Sequence, residues 1–267
     1  AYKPFPGALL CDTFQLGAED NVIDRGTFLE NSERIEEQVN TPITVIVGNP
    51  PYRAGDKNNT GNQNAKYKTL DGRIAETYAA NTKASNKNSL YNHYIRAFRW
   101  ASDRIGDSGI VCFVSGGGWL SGESGEGVRR CFTEEFNDIY VYDLRGNKEF
   151  RRLSREQLDA EGDNLFGSGS KSPITVTLLV KNPVSSGRGI IHYRNIGDGL
   201  SRQEKLDILK EAVGVDPQWD TVIPDRHGDW LDQRDDSWYE FAPMGIEKRK
   251  GILGLFDIWS CGLKTQR

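Results

Sequence analysis

Two consecutive prolines at 50 and 51 constrain this chain more than any other feature. They fix two φ angles and remove two backbone donors, so neither ladder nor helix runs through them. Residues 43–52 read Ile-Thr-Val-Ile-Val-Gly-Asn-Pro-Pro-Tyr. The β-branched run reads as a short buried strand, and Gly48 allows a tight turn after it. The result is a rigid corner at a strand's carboxyl end. It presents the Asn49 side-chain amide, the unpaired Pro50 carbonyl and the Tyr52 ring. In open α/β sheets, ligands bind at such strand ends.

That set of groups suits one chemistry. An exocyclic amino group needs two acceptors to hold it and to build lone-pair density on nitrogen. The Asn49 oxygen and the Pro50 carbonyl can supply them, and Tyr52 can stack on a flat heterocycle drawn out of its helix. The plainer alternative is a Pro-Pro turn with a half-buried tyrosine.

The chain has 267 residues, enough for one large α/β domain with a smaller appendage. Apolar residues make up 37% and charged residues 27%, a globular and soluble balance. No run approaches a membrane span and no signal peptide opens the chain. Four cysteines are scattered without a C-x-x-C pair beside three histidines, which argues against zinc and fits a reducing cytoplasm. Cys112 lies in an apolar run and is expected to be buried. The net charge of −4 argues against a general nucleic-acid binder, unless basic residues gather on one face or in parts outside this sequence.

Taken in order, Ala8–Cys11 is a strand candidate ending at Asp12. Its carboxylate can accept from an adenine amino group beside Phe14, or cap the next segment. Residues 17–41 read as a surface connection with one helical turn around 32–39. Residues 53–66 are rich in Asn, Gly and Lys. They form either a solvated loop or one that closes over DNA, with Lys57, Lys66 and Lys68 on phosphates. Helices are expected over 70–80 and, capped by Ser89, over 90–105. Tyr94 and Phe98 belong to the core in that reading, and Arg96, Arg99 and Arg104 lie on other faces. Gly109–Ser115 is a buried strand, and Gly116–Gly118 permit close backbone approach. A helix over 126–136 buries Val128, Cys131, Phe132 and Phe136 and leaves Arg129 and Arg130 solvated. Strands follow at 138–144, 174–181 and 189–194. A charged loop with a short helix fills 145–163, and a capped helix spans 201–213. From Pro217 the chain turns tryptophan-rich, which places a boundary near 215.

Asn-Pro-Pro-Tyr after a strand resembles the catalytic motif of gamma-class adenine-N6 DNA methyltransferases. Asp12-Thr13-Phe14 and the Trp119-Leu120 ending after the 109–115 strand resemble further motifs of that class. The likeness runs along most of the chain. It extends to the methyltransferase and early target-recognition region of the single-chain type ISP restriction–modification enzymes, which join nuclease, ATP-driven translocase, methyltransferase and target-recognition domains. The resemblance implies an α/β, S-adenosylmethionine-dependent methyltransferase fold: a doubly wound, mostly parallel Rossmann-like sheet lacking its first strands and closed by an antiparallel pair. It implies the later portion of a methyltransferase domain over 1–215 and the start of a target-recognition domain over 216–267. Asn49 and Pro50 would orient the target amino group, Pro51 would complete the corner, Tyr52 would stack, and Phe166 would touch the flipped adenine. Asp12, Thr13 and Phe14, with Pro51 and Phe113, would hold the adenine of S-adenosylmethionine, and no metal is implied. Double-stranded DNA with a flipped adenine and the helicase and nuclease domains of the parent would be the partners, in the cytoplasm and away from membranes. Two other readings use the same motif: glutamine methylation in a protein, and a non-catalytic DNA-binding or scaffolding module.

A Gly-rich turn for the methionine end and a carboxylate for the ribose are not visible before Asp12. This chain by itself is therefore expected neither to bind S-adenosylmethionine tightly nor to methylate DNA. Calorimetry at millimolar cofactor checks this: a one-to-one isotherm of about micromolar affinity, roughly −8 kcal/mol, would contradict it.

Overall fold

A computed structural model describes residues 5, 7–16, 29–52, 67–148, 153–167, 170–185, 187–215, 217–235, 237 and 240–241. The first elements are α1 (Leu29–Asn40), β1 (Val45–Gly48), α2 (Lys68–Glu76), α3 (His93–Arg104) and β2 (Gly109–Gly116). Next come α4 (Gly118–Ser121), α5 (Glu126–Glu135), β3 (Asp138–Asp143), α6 (Arg155–Glu161) and β4 (Ile174–Lys181). The last are β5 (Ile190–Asn195), α7 (Arg202–Glu211) and β6 (Asp220–Val222). Two compact units divide the chain, Ala1–Leu231 and Asp232–Arg267. In the second, the Asp235 carboxylate accepts from the Ser237 amide and hydroxyl. Lys57, Lys66, Cys261, Trp238, Tyr239, Phe256 and Trp259 lie outside the described residues.

The strands form one sheet in the order β1-β2-β4-β3-β5-β6. β1 and β2 run parallel, as do β3 and β5, while β4 lies between β2 and β3 and opposes both. β6 opposes β5. The expected antiparallel pair is thus β3 and β4, and the described sheet is mixed rather than mostly parallel. The long excursion between them returns to the end it left, which an antiparallel pairing allows without a crossover.

Val111, Phe113, Ile139, Val141 and Leu179 alternate onto one buried face. There Phe98 of α3 is the hub, its ring centroid 5.2 Å from both Phe113 and Phe132. Val128, Cys131, Phe132 and Phe136 are all buried, as are Tyr94 and Phe98. Gly127 lets α5 lie on the Tyr78 carbonyl, where a Cβ would collide. On the opposite face a smaller cluster gathers Leu144, Ile174 and Ile196 with Tyr52, Val176, Ile208 and Leu209.

Several local expectations change. Residues 8–11 form no strand; Asp12 instead caps the turn Thr13–Gln15, accepting from the Phe14 amide at 3.0 Å. α1 is a full helix of 12 residues. Ser89 sits inside the turn Asn88–Tyr91, its hydroxyl 2.7 Å from that of Ser124, and α3 starts later, at His93. The β1 strand is not buried: Val45 and Val47 are 57% and 74% exposed, and Ile46 packs against the core. Among the described residues β1 pairs with β2 alone, so it is an edge. Cys112, on the same side of β2, is half-buried.

The arginine assignments also change. Arg96 is buried and holds Asp71 through two bonds of 2.7 and 2.9 Å. Arg99 grips Glu135 at 2.6 and 2.8 Å and Asp103 at 2.7 Å. α3 is flanked by α2 and α5, so its polar faces are enclosed too. Arg129 has no exposed surface. It donates to the carbonyls of Trp119 at 2.8 Å, Leu120 at 3.3 Å, Gly122 at 3.0 Å and Gly228 at 2.9 Å, and to Asp229 at 2.7 Å. One guanidinium thereby ties α5 to the end of α4 and to the 225–230 turn, whose Trp230 packs edge-on against Trp119.

Arg129→Met removes the guanidinium from a buried carboxylate and from the carbonyls it joins, and is expected to cost about 3–5 kcal/mol in urea unfolding. Arg34→Met, whose partner Glu30 on α1 is exposed, is expected to cost about 1 kcal/mol or less. Equal losses would show that the Arg129 contacts do not hold the fold.

Candidate functional site

Gly48 stands opposite Phe113 in the β1–β2 register. A Cβ on Gly48 would lie 3.1 Å from the Phe113 ring, so the strand closes tightly over that buried side chain. The chain then leaves the sheet through Asn49 and Pro51, both exposed, with Pro50 and Tyr52 half-buried. The Tyr52 hydroxyl donates to the Asn49 side-chain oxygen at 2.9 Å. Burial pushes the Tyr52 pKa up to about 12, so the group stays a neutral donor.

Phe166 reaches the same place from a remote part of the chain. Its ring centroid is 5.7 Å from that of Tyr52, at 51°, and it is 49% exposed. The turn that carries it is fixed by Asn164, which is 4% exposed. The Asn164 amide donates to the carbonyls of Gly146 at 3.0 Å and Ser172 at 2.8 Å. Its side-chain oxygen accepts from the Phe166 amide at 3.0 Å. From α7, Arg202 donates to the Leu165 carbonyl at 2.8 Å. Beneath the turn, Lys205 is fully buried and donates to the carbonyls of Leu144 at 2.9 Å, Glu161 at 3.0 Å and Asp163 at 2.7 Å. Burial lowers the Lys205 pKa, which Glu161 and Asp143 oppose. Burial raises the pKa of Asp143 and of Glu161. Of these supporting roles only that of Asn164 leaves a local signal in the sequence.

A cavity of about 670 Å³ opens beside Tyr52, at the carboxyl end of β2. Tyr94, Trp119, Asn147 and Ser172 help line it, and Glu123 brings the charged group. The three glycines earn their place here by position: a Cβ would lie 3.3 Å from the Tyr94 ring at Gly116 and 2.8 Å from Thr175 at Gly117. Tyr94, expected in the core, is buried and also lines this cavity. The Trp119 indole N–H has no acceptor among the described residues.

The residues expected at the cofactor fall in two groups. Asp12 accepts from the Tyr67 hydroxyl at 3.0 Å as well as from Phe14. Phe14 packs edge-on to Tyr67 at 5.2 Å and along His93 at 6.1 Å, and it lines a second cavity of about 290 Å³ with Trp100 and Arg73. Thr13 is exposed in the same turn. Pro51 and Phe113 belong to the β1–β2 end, Phe113 being buried against Phe98. Lys68 is exposed at the start of α2. Among the described residues no acidic, His or Cys cluster could hold a metal ion. No described helix is long and apolar enough to cross a membrane.

Residues 9–150 match the family model described as Eco57I restriction-modification methylase. Among solved structures, the chain is similar to the ATP-dependent type ISP restriction-modification enzyme LlaBIII bound to DNA. Identity is 37% over 92% of this chain and 16% of that one, with a TM-score of 0.84. A nuclease-deletion mutant of the type ISP enzyme LlaGI in complex with a DNA substrate mimic is 36% identical over 97% of this chain and 20% of its own, at TM-score 0.83. A DrdV–DNA complex is 33% identical over 93% and 24%, at TM-score 0.81. The chain thus spans 16% to 24% of the length of these relatives. Comparison with curated proteins found no match.

Asn164→Ala removes three hydrogen bonds from the turn under Phe166. Amide hydrogen exchange over residues 164–172 is expected to quicken while β2 and β4 keep their protection. Unchanged exchange there would show that Arg202 and Lys205 suffice to hold the turn.

Proposed function

The chain belongs to the Eco57I restriction-modification methylase family, and from that premise we propose that it forms the target-base part of an adenine-N6 DNA methyltransferase. The observation that carries this is the convergence at one corner. Asn49 and Tyr52 are joined by a hydrogen bond, Phe166 leans on Tyr52, and a cavity roomy enough for a nucleobase is lined by Tyr52. A base leaves its duplex stack to reach such a pocket.

The chain's own groups then act by position. The Asn49 oxygen and the Pro50 carbonyl accept the two amino hydrogens of the adenine, which turns the nitrogen lone pair out of ring conjugation and aims it. A carbonyl oxygen has two lone pairs, so Asn49 can keep the Tyr52 hydroxyl while it accepts the amino group. Tyr52 stacks on the base and Phe166 braces it. Holding the partners in line supplies most of the rate. The surplus amino proton departs along the Asn49 acceptor to solvent.

The methyl donor in this reading is S-adenosylmethionine, which supplies an electrophilic methyl on a cationic sulfur. Its adenine end suits an acidic acceptor beside an aromatic ring, and the exposed Asp12 carboxylate and the half-buried Phe14 offer that pair. Thr13 and Pro51 would border it. Phe113, being buried, would support the strand end from below rather than touch solvent. In the same reading residues 1–215 serve methylation and 216–267 begin target recognition. Translocase and nuclease domains of a cytoplasmic restriction–modification enzyme complete the protein.

In the complete protein, Asn49→Ala is expected to lower methylation of adenine-containing DNA by about 10²-fold or more, with the thermal melt unchanged. Tyr52→Ala should weaken the base complex by about 1–3 kcal/mol while cofactor affinity holds, and Tyr52→Phe should be mild. Near-normal turnover with Asn49→Ala, or methylation of a protein glutamine in place of DNA, would defeat this reading.

A further inference from the structure

A third cavity, of about 450 Å³, lies on the far side of the turn that carries Phe166. Its lining includes Lys148, Lys171 and Arg202, with Asp163 as the opposing charge. The two lysines are adjacent because the Lys148 amide donates to the Lys171 carbonyl at 2.9 Å. Among the described residues neither ammonium has an ion-pair or hydrogen-bond partner. The Asp163 carboxylate accepts from the Arg202 amide at 3.4 Å, so this one carboxylate faces three cationic side chains. The neighbouring cation Arg145 is already spoken for by Glu161 and Asp198. This leaves an excess of positive charge in a concave, open site, on a chain whose net charge is −4.

The walls of the site are held in place. Asn164 and Gly167 line it, and the same Asn164 bonds that fix Phe166 fix its rim. Gly167 has φ of +86° and open space where a Cβ would be, so backbone alone borders the entrance. A phosphate needs what is present: two point charges, a guanidinium and little steric bulk.

We infer that Lys148, Lys171 and Arg202 form a binding site for a phosphodiester group of the DNA strand whose base enters the cavity beside Tyr52. The inference rests on the methyltransferase reading, because it takes DNA as the ligand. The turn between the two cavities would then hold the base on its Phe166 side and the strand backbone on its lysine side. Such a contact fixes register and carries no sequence information.

The test uses the complete protein and a fluorescein-labelled duplex carrying one adenine opposite an abasic site. Binding is measured across about 50–200 mM salt, the range over which phosphate contacts show themselves. Lys148→Gln/Lys171→Gln is expected to bind about tenfold more weakly at about 0.1 M salt, with the slope of log K against log salt shallower by about 1. Lys210→Gln, at the other end of α7, should behave as wild type. Replacing one phosphate beside the adenine with a neutral methylphosphonate should weaken the wild type and leave the double variant unaffected. If Lys148→Gln melts early, Lys171→Gln alone decides, since that side chain is exposed. A double variant with wild-type affinity and slope overturns this site and leaves the methyltransferase reading standing. A wild type that shows no salt-dependent duplex binding overturns both.

Discussion

From Gly109↔Lys181 to Gly116↔Ile174, β4 exchanges ladder bonds with β2, and on its other side it pairs with β3 from Asp138↔Val180 to Asp143↔Thr175. Both pairings are antiparallel, so the chain that leaves β3 must come back at the same end of the sheet. The base of this excursion is sewn shut: the Leu144 amide donates to the Ile174 carbonyl at 2.9 Å and the Ile174 amide to Arg145 at 3.0 Å. Gly117, just past β2, donates to the Pro173 carbonyl at 2.8 Å. The turn that carries Phe166 is thereby held near the end of the sheet at which β1 and β2 finish. Phe166 meets Tyr52 for that reason, although the two are far apart in sequence. Reversing β4 would send the excursion to the opposite end and dismantle the site without touching one of its side chains.

The loops above the sheet have few apolar residues with which to anchor themselves. They are placed by buried cations and amides instead. Lys205 gathers three carbonyls under the Phe166 turn, and Arg129 gathers four and a carboxylate beside the wall of the larger cavity. Burying a charge is costly unless its donors are satisfied, and even then the net gain over an apolar packing is small. What such contacts contribute is direction. A carbonyl accepts from a narrow range of angles, so each bond fixes where a loop runs, which an oily contact does not.

The parts of the fold that follow from periodicity were legible. Gly109–Ser115, 138–144 and 174–181 alternate or run apolar, and helix 126–136 shows its apolar stripe. The antiparallel closure followed from the resemblance, and so did the choice of Phe166 alongside Asn49 and Tyr52; the structure brings these three residues to one corner. What periodicity misses is the second partner. A stripe on α3 or α5 says which side faces the sheet, and not that α2, α5 or the 225–230 turn will enclose the opposite side. Arg129 therefore reads as solvated, and Arg96 and Arg99 read only as lying off the core face, while all three are buried. The same gap affects β1: Val45 and Val47 have the composition of a buried strand, and their burial depends on a neighbour that the local sequence does not name. Asn164 could have been found, because an Asn two residues before a loop aromatic readily accepts from that residue's own amide.

The placement of β1 at an edge has a mechanical consequence. Its four residues are held by β2 on one flank, and Asn49 is the first residue beyond its end. The motif is therefore mounted like a cantilever. Its stiffness is set by a short ladder and by the bond to Tyr52, while the aromatic core around Phe98 is anchored from many directions. Local opening at such an edge needs less free energy than global unfolding, so the amide that would grip a substrate can loosen while the rest of the sheet stays intact. Any segment that pairs along the flank of β1 that has no partner among the described residues would damp that movement. The sharpness of the corner at Asn49 would then become a property of how completely the edge is covered, and the bare ladder would act as a dial on the geometry of the site.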